Sequence, residues 1–306
     1  MTIKKWADDL AQIVKPNNIK INESLKTYTM TKLGGNADVF VLPETEEEAA
    51  AVVKYAYEHK VPLLMLGNGS NMVVRDGGVR GIVISFTKLD EIRIDGERMY
   101  AQSGALIKEA SRIAAANSLT GFEFACGIPG SVGGAMAMNA GAYGGEIKDI
   151  IIDCTVITKE GERIVLSKEE LELGYRKSII AKKEYFVLSS NFQLQKGDQK
   201  EIDEKVADLT FKRESKQPLE YPSAGSVFKR PPGYFAGKLI QDSGLQGKGV
   251  GGAEVSTKHA GFIINKGNAT ATDYIETIEM VKRTVKENFD VDLELEVKIV
   301  GEDLTN

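Results

Sequence analysis

The sequence predicts an α+β chain of two or three domains, and three observations carry that reading. At 306 residues the chain exceeds what one hydrophobic core usually organises. Helix and strand periodicities alternate over the first 85 residues, then give way to hairpin patterning. A hydrophobic share of 42% with 27% charged residues belongs to an ordinary globular protein.

The elements follow in order. Residues 3–14 form an amphipathic helix closed by Pro16 and the polar Asn17-Asn18 pair. Residues 37–42 read as an apolar strand. Thr45 stands three residues before Glu48, a capping-box spacing that opens a helix through His59. A strand at 61–66, a loop at 67–71 and a strand near 81–85 complete a βαβ-like unit, for which parallel pairing and ligand chemistry at strand ends are expected. Residues 98–101 are extended, and Ile107, Ala110, Ile113 and Ala114 mark a helix face. Residues 150–158 and 162–166 flank Lys159-Glu160-Gly161 as a hairpin. A strand at 185–195 leads into a mostly polar helix at 199–215 that bridges to a separate unit. Pro218, Pro222, Pro231 and Pro232 then punctuate short extended pieces. Tyr274, Ile275, Ile278, Val281, Val285 and Phe289 share one helical face. Alternation from Leu293 to Ile299 gives a final strand. The patterns divide the chain into residues 1–86, 87–199 and 200–296, with 297–306 expected to pack back on the first part.

Bulk properties exclude several functions. A net charge of −5, with acids interspersed among the bases, argues against nucleic-acid binding. Two cysteines, Cys126 and Cys154, suit a reducing cytoplasm better than a disulfide framework. Lys4, Lys5, Asp8 and Asp9 interrupt any apolar run before Leu10, so no secretory signal is expected. The uncharged stretch 124–145 has the length of a membrane span, but its seven glycines and Pro129 oppose that reading. Two histidines 200 positions apart give no metal-ligand spacing.

Two glycine-rich loops are the strongest local features. Gly67-Asn68-Gly69-Ser70-Asn71 follows a buried strand, and its successive N–H groups could form a nest for a diphosphate. It lacks the endings of a Walker A loop or a dinucleotide fingerprint, and alone it fits a plain tight turn better. Gly127-Ile128-Pro129-Gly130-Ser131-Val132-Gly133-Gly134, running on to Asn139-Ala140-Gly141-Ala142-Tyr143-Gly144, is built almost entirely of small residues. Such a surface could admit a flat aromatic cofactor, or serve close packing of strands; the entropy cost of so many glycines favours the former.

The two loops together resemble the FAD-binding domain of the vanillyl-alcohol oxidase and p-cresol methylhydroxylase superfamily. Gly174-Tyr175-Arg176-Lys177-Ser178, Ala224-Gly225-Ser226-Val227-Phe228-Lys229 and Leu293-Glu294-Leu295-Glu296-Val297 further resemble the UDP-N-acetylenolpyruvoylglucosamine reductases, also called UDP-N-acetylmuramate dehydrogenases. The likeness runs in the same order from about Tyr28 to the C-terminus, in the compact form without an extra substrate-covering loop. It implies a two-part FAD-binding domain plus a smaller α+β substrate-binding domain, and cytoplasmic NADPH-dependent, FAD-mediated reduction of an enolpyruvyl UDP-amino sugar for peptidoglycan precursor synthesis. Noncovalent FAD is expected, because neither His59 nor His259 lies in the flavin loops. The flavin would be held by Gly67, Asn68, Gly69, Ser70, Asn71, Gly127, Ile128, Pro129, Gly130, Ser131, Gly133, Gly134, Asn139, Gly141 and Ala142. No membrane or nucleic-acid partner is implied, and a monomer is favoured.

Hydride addition to an enol ether leaves negative charge beside a carboxylate, so the chemistry needs a cation or acid and a carbon-directed proton donor. Arg176 suits the carboxylate, since a planar guanidinium matches two oxygens; without the motif it reads as a surface ion pair. Ser226 is the candidate donor, with Lys229 and Arg230 supplying a positive field; in isolation it reads as a turn serine. Arg230 departs from the family, which often carries Asn there. Glu296 would help only if it carried or shared a proton; otherwise Glu294 and Glu296 both face water. Tyr175, Lys216, Lys229, Lys258, His259 and Asn265, with the main-chain amides of 246–252, are candidates for the substrate, its diphosphate included, and each alone could be solvated or packed. A different flavin oxidase of the superfamily, or a nucleotide-sugar binding module without turnover, is the rival reading.

Overall fold

The computed structural model describes residues 2–304. They gather into two compact units, each discontinuous in sequence: one holds the chain up to Asn22, Asp38–Asn68 and Gly81–Arg213, the other Glu23–Ala37, Gly69–Arg80 and the chain from Glu214.

In the first unit, a four-stranded sheet has the order Ile19–Ser24, Asn36–Val41, Val79–Ile84, Leu63–Met65. Leu63–Met65 runs parallel to Val79–Ile84, with Leu63 opposite Ile82 and Met65 opposite Ile84, as the βαβ pattern predicts. Val39, Val41, Ile82 and Ile84 bury against Val52, Val53 and Ala56 of helix Glu46–Glu58. Thr45 caps that helix by accepting from the Glu48 amide, but the Glu48 carboxylate accepts from the Glu44 amide, one residue earlier than a full capping box. The N-terminal helix is shorter than its pattern, Ile3–Leu10; Gln12 and Ile13 bond back to Asp9 and Leu10, tightening the end into turns.

The same unit carries a five-stranded sheet in the order Arg163–Ser167, Ile151–Ile157, Phe186–Gln193, Arg98–Gln102, Ile92–Asp95. Every pairing in it is antiparallel, including the hairpin predicted around residues 159–161. Its core joins Met99, Phe192 and Val156 to Ile107 of helix Ile107–Ala116 and to Val132 and Met136 of helix Val132–Met138. That last helix lies inside the uncharged stretch. Several glycines there are kept small by close contact: a Cβ on Gly133 would meet Ser103 Oγ at 2.0 Å, and one on Gly145 would meet Phe124 Cδ1 at 2.8 Å.

The second unit has a sheet in the order Ser223–Ser226, Phe262–Asn265, Ala253–Val255, Gly249–Val250, all antiparallel. Helix Ala271–Phe289 buries Tyr274, Ile278, Val281 and Val285 with Val227, Val255 and Ile263. Thr270 and Asp273 box its N-terminus, and Asp76 accepts from the Ala271 and Thr272 amides. The strand expected over 293–299 is corrected: only Lys298–Val300 is regular, and it pairs parallel with Met72–Val74. Residues 293–297 run beside 227–229 instead. There Glu296 N and Val297 N both donate to the Val227 carbonyl, two residues against one, which interrupts a regular ladder.

The sequence breaks near 86 and 199 do not coincide with the edges of the units. Residues 23–37 and 69–80 bond to the C-terminal chain, through Asn265 Nδ2 to the Thr31 carbonyl at 3.0 Å and Arg75 N to the Val300 carbonyl at 2.9 Å. Among the described residues, no helix is long and apolar enough to cross a membrane.

Candidate functional site

Within the first unit the two glycine loops meet. The Asn68 side-chain amide donates to the Pro129 carbonyl at 2.5 Å, and a Cβ on Gly67 would stand 2.9 Å from Ser131 Oγ. Ser131 in turn caps helix Val132–Met138 by accepting from the Gly134 amide at 3.2 Å. Beside it, the buried Ser103 hydroxyl has no hydrogen-bond partner among the described residues. Ile128 and Pro129 are half-buried; Gly130 is buried, its carbonyl taken by the Ile107 amide. Gly141–Ala142 pairs with Gly145–Glu146 in a tight hairpin. Gly69, Ser70 and Asn71 belong to the second unit. Gly69 is left-handed at φ +58°, and a Cβ there would lie 2.2 Å from the Tyr28 carbonyl, so no other residue fits.

Asn139 has a different place from the one its motif suggests. It is fully buried at the left-handed C-cap of helix Val132–Met138 and donates to Glu146 at 2.8 Å and to the Gly174 carbonyl at 3.1 Å. Gly174 opens the turn that carries Arg176. Gly174 and Lys177 exchange two main-chain hydrogen bonds, 3.1 and 3.0 Å, across Tyr175 and Arg176. Arg176 itself is left-handed at φ +54°, a conformation that costs a non-glycine residue about 1 kcal/mol or more. The residue is half-buried, and its guanidinium carbon lies 5.2 Å from the centre of the exposed Tyr175 ring. Ser178 anchors the far side, donating to the Ala137 carbonyl at 2.6 Å. The left-handed backbone of Arg176 leaves no signal in the sequence.

In the second unit, Ser226 and Glu296 are brought together. Ser223 faces Ile264 and Ser226 faces Phe262, so one extra residue is inserted between them. Gly225, at φ +73°, absorbs this bulge, and a Cβ there would meet nothing within 4 Å. The slim backbone at Gly225 therefore serves the conformation and whatever approaches, not internal packing. The half-buried Ser226 hydroxyl makes no hydrogen bond among the described residues. Next along the chain, Val227 holds Glu296 N at 2.8 Å, and Phe228 bridges Leu295. Glu296 is half-buried while the Glu294 side chain is 76% exposed, so the two do not share a solvent face.

The remaining second-unit candidates mostly have partners of their own. The two cations next to Ser226 in sequence have contacts of their own: Lys229 pairs with Glu294 at 3.2 Å, and the Arg230 guanidinium lies 3.9 Å from the Phe235 ring centre. Lys258 donates to the Glu214 carbonyl at 2.8 Å, and Lys216 is exposed at the end of helix Gln199–Lys216. Asn265 is buried, accepting from Gly267 and Ala269 and donating to Thr31. His259 packs edge-on to Phe262, and burial draws its pKa below 6.5. The amides of 246–252 are largely used within the fold: Gly247 N bonds to Val255, Val250 N to Thr277 and Gly252 N to Asp273.

Comparison with known proteins explains the pairing of these loops. Residues 37–167 match the family model of an FAD binding domain, and residues 217–300 that of the UDP-N-acetylenolpyruvoylglucosamine reductase C-terminal domain. The reductase of Exiguobacterium sibiricum is 63% identical over 93% of this chain and 94% of its own length. That of Geobacillus kaustophilus is 61% identical over 96% and 97%. The chain belongs to the UDP-N-acetylenolpyruvoylglucosamine reductase family. The crystal structure of the Thermus caldophilus reductase superposes with a TM-score of 0.79 at 35% identity, covering 92% of this chain and 97% of that one. A glucose dehydrogenase, Phl p 4.0202, shares the fold alone, with a TM-score of 0.51 at 13% identity. As a member of the reductase family the chain is an FAD-dependent oxidoreductase of the predicted α+β class. The first unit's second loop fits that cofactor: the buried Ser103 hydroxyl beside helix Val132–Met138, without a partner among the described residues, is a donor that a diphosphate would satisfy.

Proposed function

We propose that this reductase converts UDP-N-acetylglucosamine enolpyruvate to UDP-N-acetylmuramate in the cytoplasm, with NADPH as reductant, for peptidoglycan precursor synthesis. The observation that carries the reading is the Ser226 bulge, with its unpartnered hydroxyl and left-handed Gly225, beside the half-buried Glu296. FAD, when bound, supplies carriage of a hydride from NADPH to the substrate's vinyl carbon. Arg176 binds the substrate carboxylate in two-pronged fashion and stabilises the charge that develops next to it. The Ser226 hydroxyl gives its proton to the adjacent carbon. Glu296, in a partly buried carboxyl position, shares a proton with the enolate-like oxygen and so helps hold it.

In this reading, residues 1–86 and 87–199 serve the flavin and 200–296 the UDP-sugar. Tyr175, Lys216, Lys229, Lys258 and His259 bind the UDP-sugar, and Asn265 supports it by fixing the loop after strand Phe262–Asn265. The monomer is the working form. The test is a two-step absorbance assay on purified protein. NADPH should bleach the yellow flavin, and the enolpyruvyl UDP-sugar should restore the colour. Failure of the sugar to reoxidise a flavin that NADPH has reduced would remove the substrate assignment.

A further inference from the structure

Arg213 lies near the end of helix Gln199–Lys216, in the first unit. It is half-buried and makes no hydrogen bond or ion pair among the described residues. Withdrawing a guanidinium from water without a partner is costly, and burial pulls its pKa below the ordinary arginine value. The ionisable groups nearest it are the Tyr143 phenol and the Cys126 thiol, neither of them a carboxylate. Its stem lies on Gly127. A Cβ there would stand 2.4 Å from Arg213 Cδ and 3.1 Å from Nε. Glycine at 127 thus makes room for an arginine, and two residues on is Pro129, whose carbonyl Asn68 holds.

We propose that Arg213 binds an anionic group of the flavin nucleotide held by this loop. The inference rests on the family's FAD, and it adds a cation to a site whose other members are glycines, hydroxyls and amides. FAD offers two such groups. The diphosphate is always charged, whereas the pyrimidine edge of the ring system gains negative charge only on reduction. Either would supply the acceptor oxygens that five planar N–H donors lack here.

The experiment compares wild type with Arg213→Met and Arg213→Lys, measuring FAD Kd by flavin fluorescence quenching and the midpoint potential of the bound flavin. A diphosphate contact predicts that Arg213→Met weakens FAD at least tenfold, with partial recovery in Arg213→Lys. A pyrimidine contact predicts an unchanged Kd for oxidised FAD and a lower potential, by about 30 mV for each tenfold loss of preference for the reduced form. A Kd within twofold of wild type together with a potential within about 10 mV of it, the shift that a twofold change in preference gives, would overturn the proposal, whether or not KM for the UDP-sugar or apoprotein stability changes. If Arg213→Met does not fold, Arg213→Lys is read by the same two measurements. Wild-type protein that takes up no FAD would instead remove the family reading beneath it.

Discussion

The side-chain amide of Asn71 donates to the main-chain carbonyl of Glu296 at 3.1 Å, and Lys298 N returns a bond to the Asn71 carbonyl at 3.1 Å. With Glu296 N fixed on Val227, the backbone of this carboxylate is held on both sides. Asn71→Ala should cost about 1 kcal/mol in urea unfolding. Reduction by NADPH should persist while reoxidation by the UDP-sugar slows. A slowing confined to the NADPH half would show that Asn71 serves the cofactor alone.

Ser226→Ala removes a hydroxyl whose neighbours are left undisturbed, because it bonds to none of the described residues. Stopped-flow reoxidation should slow about 10²–10⁴-fold, the usual worth of a positioned proton donor. Flavin reduction should be unchanged. Equal loss in both halves would make Ser226 a shared binding residue.

Arg176 sits at φ +54° in a turn whose first carbonyl is held by Asn139. Arg176→Lys keeps charge but loses the planar fork, so KM for the UDP-sugar should rise about tenfold or more. Asn139→Ala should raise the same KM and lower stability by about 1–3 kcal/mol, since the Gly174 carbonyl and Glu146 lose a donor. An Asn139→Ala protein with altered stability but normal KM would limit Asn139 to packing.

Glu123, just ahead of the second glycine loop, is 3% exposed. Burial alone would raise its pKa, but hydrogen bonds from Thr120, the main chain and Lys205 overcome that and hold it below 4.5. A carboxyl depressed on folding contributes stability above its unfolded pKa and loses it as pH falls through the folded one. Glu123→Gln should therefore cost about 1–3 kcal/mol at neutral pH. Melting curves of variant and wild type should converge as the pH drops below about 4.5. A gap that stays constant with pH would place the loss in packing.

Much of the fold was legible because its signals are local. The parallel pairing of 63–65 with 79–84, the hairpin around Gly161 and the helix carrying Tyr274, Ile278, Val281 and Val285 all follow from periodicity. The units were not, because residues 23–37 and 69–80 owe their place to bonds with chain more than 190 positions away. Residues 293–297 alternate like a strand, yet two amides on one Val227 carbonyl disrupt the ladder. Of the candidate residues, Arg176, Ser226 and Glu296 stand out in the sequence only as members of motifs. Arg213 was invisible, since an arginine in a polar helix looks solvated until Gly127 is seen beneath it.

The parallel pairing of Met72–Val74 with Lys298–Val300 has a consequence for how the protein is made. A chain emerging from the ribosome presents residues 69–80 early, but their hydrogen-bonding strand is synthesised some 225 residues later. At about 5–20 residues per second, that segment waits ten seconds or longer without its partner. The loop bearing Asn71 is thus among the last parts to acquire its shape, and shortening the chain before residue 298 should leave it unformed.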